Sequence, residues 1–137
     1  MTRPRVLLAD NFAPLLERIV GVVAAEFEVV GAVSDGQAAL DAAAALKPDV
    51  VVFDISMPVM SGLAAAARLL ESAHPPRVVF LSVQDDPAFI EAARGVGALG
   101  YVIKHHIGTD LVPAIRLALE GRMHFPPATG EPNPGAR

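Results

Sequence analysis

The sequence predicts an α/β protein in which a five-stranded parallel sheet is covered by helices on both faces. Short β-branched runs alternate five times with stretches of helical spacing rich in Ala, Leu, Glu and Arg, the pattern of repeated strand–helix units. Two runs, VVVF at 50–53 and VVFL at 78–81, are apolar throughout, as expected for strands buried on both faces. The 137 residues suit one domain, and right-handed crossovers make the sheet doubly wound.

Each element carries its own signals. The predicted strands cover residues 6–9, 28–33, 50–53, 78–81 and 101–103. The predicted helices cover residues 12–25, 36–46, 62–73, 86–96 and 108–120. Helix starts are marked by Pro14, Ser34, Asp35 and Asp86 with Pro87, and helix ends by Lys47 with Pro48 and by Gly121. Ala-rich second and third helices are expected to lie close to their neighbours, although Ala is also simply a good helix former.

Composition argues against several classes of protein. The chain is 53% hydrophobic and 19% charged, contains no Cys and has a formal net charge of −4 at pH 7. Without Cys there are no disulfide frameworks, Cys-ligated metal centres or thiol catalysis, and a cytoplasmic location is expected. The acidic balance argues against direct binding of nucleic acid. No apolar run reaches the roughly 18 residues of a membrane span, so no membrane association is expected.

A polar residue follows each predicted strand: Asp10, Ser34, Asp54, Ser82 and Lys104. Parallel strands end at one edge of the sheet, and ligands bind at that edge where the strand order reverses. In the flavodoxin-like order 2-1-3-4-5, the first and third strands are neighbours at that point. We therefore expect Asp10 and Asp54 to meet there, with Ser82 and Lys104 on the adjacent strands.

The residues expected at this edge suit phosphoryl transfer. Two converging carboxylates repel each other, and Mg²⁺, which prefers oxygen ligands, would relieve the repulsion. A lysine ammonium and a serine hydroxyl add donors for an anion, and phosphoryl transfer depends mainly on positioning and charge neutralisation. Asp54 is the best candidate nucleophile, because Met57 and Pro58 predict a turn that leaves its carboxylate exposed.

Two other patterns carry less weight. The segment GVGALG at 95–100 matches the glycine spacing of dinucleotide-binding proteins, but it follows a predicted helix and leads into a strand, the reverse of the required context. We therefore predict a helix end and a turn. His105 and His106 are adjacent and are expected on the surface rather than on one metal ion, and neither His74 nor His124 has a matching partner.

Four segments carry a resemblance to a known family: LLADN at 7–11, VVFDISMPVMSG at 51–62, LSVQD at 81–85 and GYVIK at 100–104. In this order they resemble the receiver domain of two-component response regulators over about residues 4–121. The LSV tripeptide and GALGY at 97–101 are similar to the NarL/FixJ-type subgroup in particular. The resemblance implies a CheY-like fold.

The resemblance also implies roles for individual residues. Asp54 would accept a phosphoryl group from a phosphohistidine of a sensor histidine kinase or a phosphotransfer protein, which makes the chain a signalling domain rather than an enzyme. Mg²⁺ would be held by Asp10, Asp54, the backbone carbonyl of Ser56 and the position of Asn11. Lys104 would pair with the phosphoryl oxygens, and Ser82 would move to hydrogen-bond them.

Further implied roles concern output and lifetime. Tyr101 would rotate inward as an aromatic switch and change the face formed by the fourth helix, fifth strand and fifth helix, which a downstream protein would read. The resemblance also allows for a homodimer on activation. Ser56, Val83 and Gln84 flank the expected pocket and are candidates for modulating hydrolysis of the phosphoryl group.

The sequence departs from the family pattern at two positions. Asn11 stands where the family usually has a second acidic metal ligand; an amide oxygen can bind Mg²⁺ but brings no charge, so weaker binding is expected. Asn11 could instead cap the first helix ahead of Pro14, and both roles stay open at this point. His105 follows Lys104 where many relatives carry Pro, so the loop there is expected to differ.

Residues 122–137 are rich in Pro and Gly and are expected to form a tail or a truncated linker. NarL/FixJ-type proteins usually continue into a helix-turn-helix DNA-binding domain, so the chain is a stand-alone receiver or one excised from a transcription factor. A degenerate receiver that binds partners without phosphorylation is an alternative motivated by Asn11. A small flavodoxin-like enzyme or cofactor carrier is disfavoured, because no phosphate-binding loop follows the first strand.

Overall fold

The five predicted strands all form, and they pair in parallel in the order β2-β1-β3-β4-β5. The computed structural model describes residues 3–83 and 86–126. The strands are β1 Arg5–Ala9, β2 Glu28–Val33, β3 Val50–Asp54, β4 Arg77–Ser82 and β5 Gly100–Ile103. The register places Ala9 opposite Phe53 and Ser82 opposite Ile103, so the carboxyl ends of β1, β3, β4 and β5 meet at one edge.

Helices cover both faces of this sheet. They are α1 Ala13–Ala24, α2 Gly36–Leu46, α3 Gly62–Leu70, α4 Pro87–Val96 and α5 Ile107–Leu119. One core packs α2, α3 and α4 against alternate residues of the strands, including Val51 and Phe53. The other packs α1 and α5 against the intervening residues, including Val50 and Val52. Every residue of β3 is therefore buried, as its continuous apolar run predicts.

Local signals account for the helix boundaries. The side chain of Asp35 accepts a hydrogen bond from the backbone of Ala38 and caps α2, while Lys47 ends it in a left-handed conformation with φ 50°. Gly97, with φ +100°, ends α4 three residues before β5 begins. The prediction that GVGALG forms a helix end and a turn is thus confirmed.

Most observed boundaries lie within one residue of the predicted ones, and two regions differ further. The third helix ends at Leu70 rather than at residue 73, because the chain turns at Glu71 and Ser72 toward β4. Lys104–His106 form a single 3₁₀ turn that leads directly into α5, with no cis peptide bond among the described residues.

No helix in the part of the chain that the structure describes is long and apolar enough to cross a membrane.

The segment after α5 packs on the sheet. Gly121 reverses the chain with φ 75°, and His124 forms a parallel bridge with Gly100 of β5. Phe125 packs against the core cluster. These contacts lie beyond the end of the domain predicted at residue 121, while residues 127–137 lie outside the described part of the chain.

Candidate functional site

Three charged side chains meet at the carboxyl edge of the sheet. The Nζ atom of Lys104 lies 3.1 Å from Oδ2 of Asp10 and 3.2 Å from Oδ2 of Asp54. Asp10 and Asp54 are 1% and 4% exposed, and the Lys104 side chain is 15% exposed. The edge therefore brings together two buried carboxylates and one ammonium, as the strand order predicts.

The loops that follow β1 and β3 hold the two carboxylates. Oδ1 of Asp10 accepts a hydrogen bond of 2.8 Å from the backbone N–H of Phe12, and Oδ1 of Asp54 accepts one of 3.2 Å from the backbone N–H of Ser56. Both are bonds from residue i+2 to the side chain of residue i, which fold a turn around an aspartate. Each carboxylate therefore keeps its Oδ2 atom directed toward Lys104.

Burial changes the ionisation of Asp54. Its pKa is raised above the usual value of 3.8, first because burial disfavours the charged carboxylate and second because Asp10 repels it. Lys104 and the N–H of Ser56 oppose this rise. The sequence prediction that the turn after β3 exposes this carboxylate is wrong. Asp54 is 4% exposed, and its Oδ2 atom is contacted by Lys104 Nζ and by the Asn11 amide.

Asn11 contacts Asp54 and Ser56. Its amide nitrogen is turned toward the site, because the opposite orientation would place the amide oxygen against two acceptor oxygens. The nitrogen donates to Oδ2 of Asp54 at 2.9 Å and to the carbonyl oxygen of Ser56 at 3.2 Å. Helix α1 begins after Phe12 with no side-chain capping bond, so the alternative of Asn11 as its N-cap is wrong.

A pocket of about 300 Å³ opens above these groups. Besides Asp54 and Lys104, it is lined by Asn11, Ser56, Ser82, Val83 and Phe89. Ser82 is 4% exposed at the end of β4, whereas Val83 is 65% exposed on the rim. Of the predicted modulating residues, Ser56 and Val83 thus line the pocket, and Gln84 lies outside the described residues.

Other residues singled out in the sequence lie elsewhere. Ser34 follows β2 at the far side of β1 and is exposed. Tyr101 is on β5, three residues before Lys104, and is 1% exposed. The side chain of His106 is 62% exposed, which agrees with its predicted surface position.

Two glycines shape the loop after β3, and no local pattern in the sequence marks them as close-packing positions. A Cβ atom at Gly62 would collide with the backbone carbonyl of Asp54, and one at Gly36 would collide with that of Met60. Between Gly36 and Gly62 in the sequence, the chain makes a tight turn at Val59, whose φ is 68°. There the backbone N–H of Met60 donates a hydrogen bond of 2.7 Å to the carbonyl of Pro58. The absent side chains let α2 and α3 approach the loop that carries the site.

The donor set suits a hard cation. Oδ2 of Asp10 is buried and, apart from its charge contact with Lys104 Nζ at 3.1 Å, has no hydrogen-bond partner within the described residues. The single side-chain nitrogen of Asn11 contacts both Asp54 Oδ2 and the Ser56 carbonyl oxygen. These two oxygens therefore lie close enough together to contact one atom. Carboxylate, amide and carbonyl oxygens are the ligands that Mg²⁺ prefers.

Comparison with known proteins agrees with this arrangement. Residues 6–116 match the family model described as the response regulator receiver domain. The chain belongs to this family of receiver domains. As in that family, the receiver domain described here is a signalling domain with the CheY-like fold, so both the predicted fold and the predicted family are confirmed.

Individual relatives extend the comparison. The transcriptional regulatory protein PdtaR of Mycobacterium tuberculosis is 35% identical over 116 residues, which cover 84% of this chain and 56% of that protein. The probable transcriptional regulatory protein NarL of the same organism is 34% identical over 120 residues, covering 86% of this chain and 56% of that protein. The receiver domain thus spans little more than half the length of these relatives.

A solved structure has the same fold. The signal receiver domain of the putative response regulator NarL from Mycobacterium tuberculosis superposes with a TM-score of 0.84 and 33% identity, covering 89% of this chain and all of the other. This similarity confirms the predicted likeness to NarL-type receivers.

Proposed function

We propose that the receiver domain accepts a phosphoryl group on Asp54 from a phosphohistidine of a sensor histidine kinase or a phosphotransfer protein. The observation that carries the proposal is the position of Lys104 Nζ, 3.1 Å from Asp10 and 3.2 Å from Asp54 in a pocket at the carboxyl edge. A cation between two buried carboxylates can neutralise the anionic oxygens of an incoming phosphoryl group. Such a donor, phosphorylated from ATP, would place the reaction in the cytoplasm.

In the proposed step, an ionised carboxylate oxygen of Asp54 attacks phosphorus. A P–O bond to Asp54 forms as the P–N bond to the imidazole breaks, and the released imidazole nitrogen keeps the electron pair and takes a proton from solvent. The product adds negative charge at Asp54, and Lys104 lies within reach of the added oxygens. Because burial raises the pKa of Asp54, Lys104 also helps to keep this carboxylate ionised.

We further propose that the site holds Mg²⁺ through Asp10, Asp54, the carbonyl of Ser56 and the amide oxygen of Asn11. When bound, this cation would neutralise phosphoryl oxygens in the transition state. Among the described residues no group of three or more His, Cys, Asp or Glu side chains is arranged to hold a metal, so the set depends on Asn11 and on a backbone carbonyl. The Asn11 amide must rotate, because its nitrogen now faces the proposed ligands.

The remaining roles follow from position. Ser82 ends β4 on the pocket wall and would hydrogen-bond the phosphoryl group, while Tyr101 on the adjacent strand would report this change to a downstream protein. Ser56 and Val83 line the access to the pocket, so their size would set how readily water reaches an acyl phosphate. A homodimer formed on activation fits the same scheme.

The test is the intact mass after incubation with acetyl phosphate and Mg²⁺. We expect the wild-type chain to gain one phosphoryl group and Asp54→Ala to gain none. Asp41→Asn is a matched control, because Asp41 is an exposed aspartate on α2 that bonds only to Gln37 in the described contacts. It should be phosphorylated like wild type. Uptake by Asp54→Ala, or no uptake by wild type at tens of millimolar Mg²⁺, would refute the proposal.

A further inference from the structure

The last strand of the sheet, β5, is paired on its outer side, near its amino end, by the chain itself. After Gly121 the chain returns as an extended segment, residues 122–126, here called the strap. The backbone N–H of His124 donates to the carbonyl of Leu99 at 2.8 Å, and the N–H of Tyr101 donates to the carbonyl of His124 at 2.9 Å. The strap therefore satisfies backbone groups that an edge strand otherwise presents to other chains.

Side chains of the strap approach three elements. The ring of Phe125 stacks on that of Tyr101, with centroids 6.4 Å apart and an interplanar angle of 27°. The guanidinium carbon of Arg94 on α4 lies 4.6 Å from the centroid of the Phe125 ring, within range of a cation–π interaction. Nε2 of His124 lies 4.0 Å from Oδ2 of Asp110 on α5.

The contacts of the strap fall into two parts. The backbone of β5 pairs in parallel with the strap, and Tyr101 with Arg94 holds the ring of Phe125. The combination is the strand-addition mode of peptide recognition, in which backbone bonds give affinity and a side-chain pocket gives specificity. Tyr101 is 1% exposed although it lies on an outer strand of the sheet, which agrees with a filled site.

We propose that the strap is the built-in occupant of a strand-addition site on β5, and that a partner binds there by displacing it. The partner presents an extended segment with an aromatic residue that takes the place of Phe125 against Tyr101 and Arg94. Because the strap is joined to α5 by a short connection, its effective concentration is high, and it outcompetes a weak free segment. This inference goes beyond phosphorylation of Asp54 and does not depend on it.

Amide hydrogen exchange of the full chain, followed by NMR, tests whether the strap is docked. We expect Phe125→Ala to speed exchange of the Tyr101 and His124 amides by about tenfold or more, while amides of β3 keep their protection. Arg94→Gln should act in the same direction with a smaller effect. Met123→Ala is the matched control, because Met123 is 63% exposed within the same strap and should leave both rates unchanged.

A peptide with the sequence of residues 121–126 tests the site itself. We expect it to shift the NMR signals of Tyr101 and Arg94 in the Phe125→Ala chain, and to require about tenfold more peptide in wild type, because the strap competes. A peptide carrying Ala in place of the phenylalanine should shift neither. Equal binding to both chains would refute the proposal, as would unprotected Tyr101 and His124 amides in wild type. Protection that disappears on dilution would assign the strap to a second copy and also refute it.

Discussion

Two aspartates flank the same strand, β3, in opposite surroundings. Asp49 precedes the strand, is exposed, and accepts a hydrogen bond of 2.8 Å from the backbone N–H of Arg5. Asp54 ends the strand, is 4% exposed, and shares Lys104 with Asp10. The Asp49 carboxylate, at the amino edge of the sheet, satisfies a backbone N–H group of the fold. The one at the carboxyl edge has a raised pKa and is held at a cost in stability, as expected for a group retained for chemistry.

The largest effect is expected from removing the cation between the carboxylates. Lys104→Gln leaves Asp10 and Asp54 buried without their counter-charge and should lower the free energy of unfolding by about 3–5 kcal/mol. Urea denaturation of the metal-free chain measures this loss, and Mg²⁺ should recover part of it. Lys47→Gln, at an exposed lysine of the amino edge, should stay within about 0.5 kcal/mol of wild type. Similar losses for both variants would contradict the difference between the two edges.

A methyl group at Gly62 should disturb the site through the backbone. Gly62→Ala forces its Cβ against the Asp54 carbonyl and should cost about 1–3 kcal/mol in unfolding free energy. It should also slow phosphorylation by acetyl phosphate. Gly95→Ala is the matched control within α4, where the added Cβ meets no atom within 4 Å apart from its own helix backbone and chain neighbours. It should stabilise the chain by about 0.5–1 kcal/mol. The same sign for both substitutions would contradict the close approach of Gly62 to the Asp54 carbonyl.

Asn11→Asp should change stability in opposite directions with and without Mg²⁺. In the metal-free chain it removes the amide bonds to Asp54 and Ser56 and adds a third carboxylate, so the midpoint of thermal unfolding should fall. With Mg²⁺ the added charge should raise affinity about tenfold, and the midpoint should rise more steeply with Mg²⁺ than in wild type. Asn11→Ala, which lacks the new charge, should show only the first effect. Parallel Mg²⁺ responses of wild type and Asn11→Asp would exclude position 11 as a ligand.

Neutralising Asp49 and Asp54, at the two ends of β3, should have opposite effects on stability. Burial and Asp10 raise the pKa of Asp54 above 3.8, so the folded state disfavours its ionisation. This loss of folding stability is absent below pH 3.8, where Asp54 is protonated in both the folded and the unfolded chain. It is fully present above the raised pKa of the folded state. Asp54→Asn should therefore stabilise the metal-free chain by about 1 kcal/mol at pH 7, with the gain vanishing in acid. Asp49→Asn should destabilise it slightly at pH 7, and a gain there would contradict this account.

The sequence was sufficient to predict the strands, their order and the main charged residues of the site. Asp10, Asp54 and Lys104 each follow an apolar run, and the topology of parallel strands alone brings such residues to one edge. The burial of Asp54 could not be predicted in this way. It depends on contacts from Asn11 and Lys104, which lie far from Asp54 in the sequence and which the turn signal of Met57 and Pro58 does not describe.

Features that depend on close packing were missed for a similar reason. Gly36 and Gly62 matter because helices approach backbone carbonyls distant in sequence, so no local pattern marks them. Phe125 lies at the start of a Pro- and Gly-rich segment, and its partner Tyr101 is far away in the chain. A reversal at Gly121 is what places Phe125 against β5, and the sequence indicates only that a helix ends there.

The most direct test of the central claim locates the phosphoryl group. After phosphorylation with acetyl phosphate and Mg²⁺, borohydride reduction converts an aspartyl phosphate to homoserine, which mass spectrometry assigns to a position in the chain. We expect homoserine at position 54 alone, with Asp10 and Asp49 unchanged. Homoserine at either of those positions, or at none, would contradict the assignment of Asp54 as the phosphoacceptor.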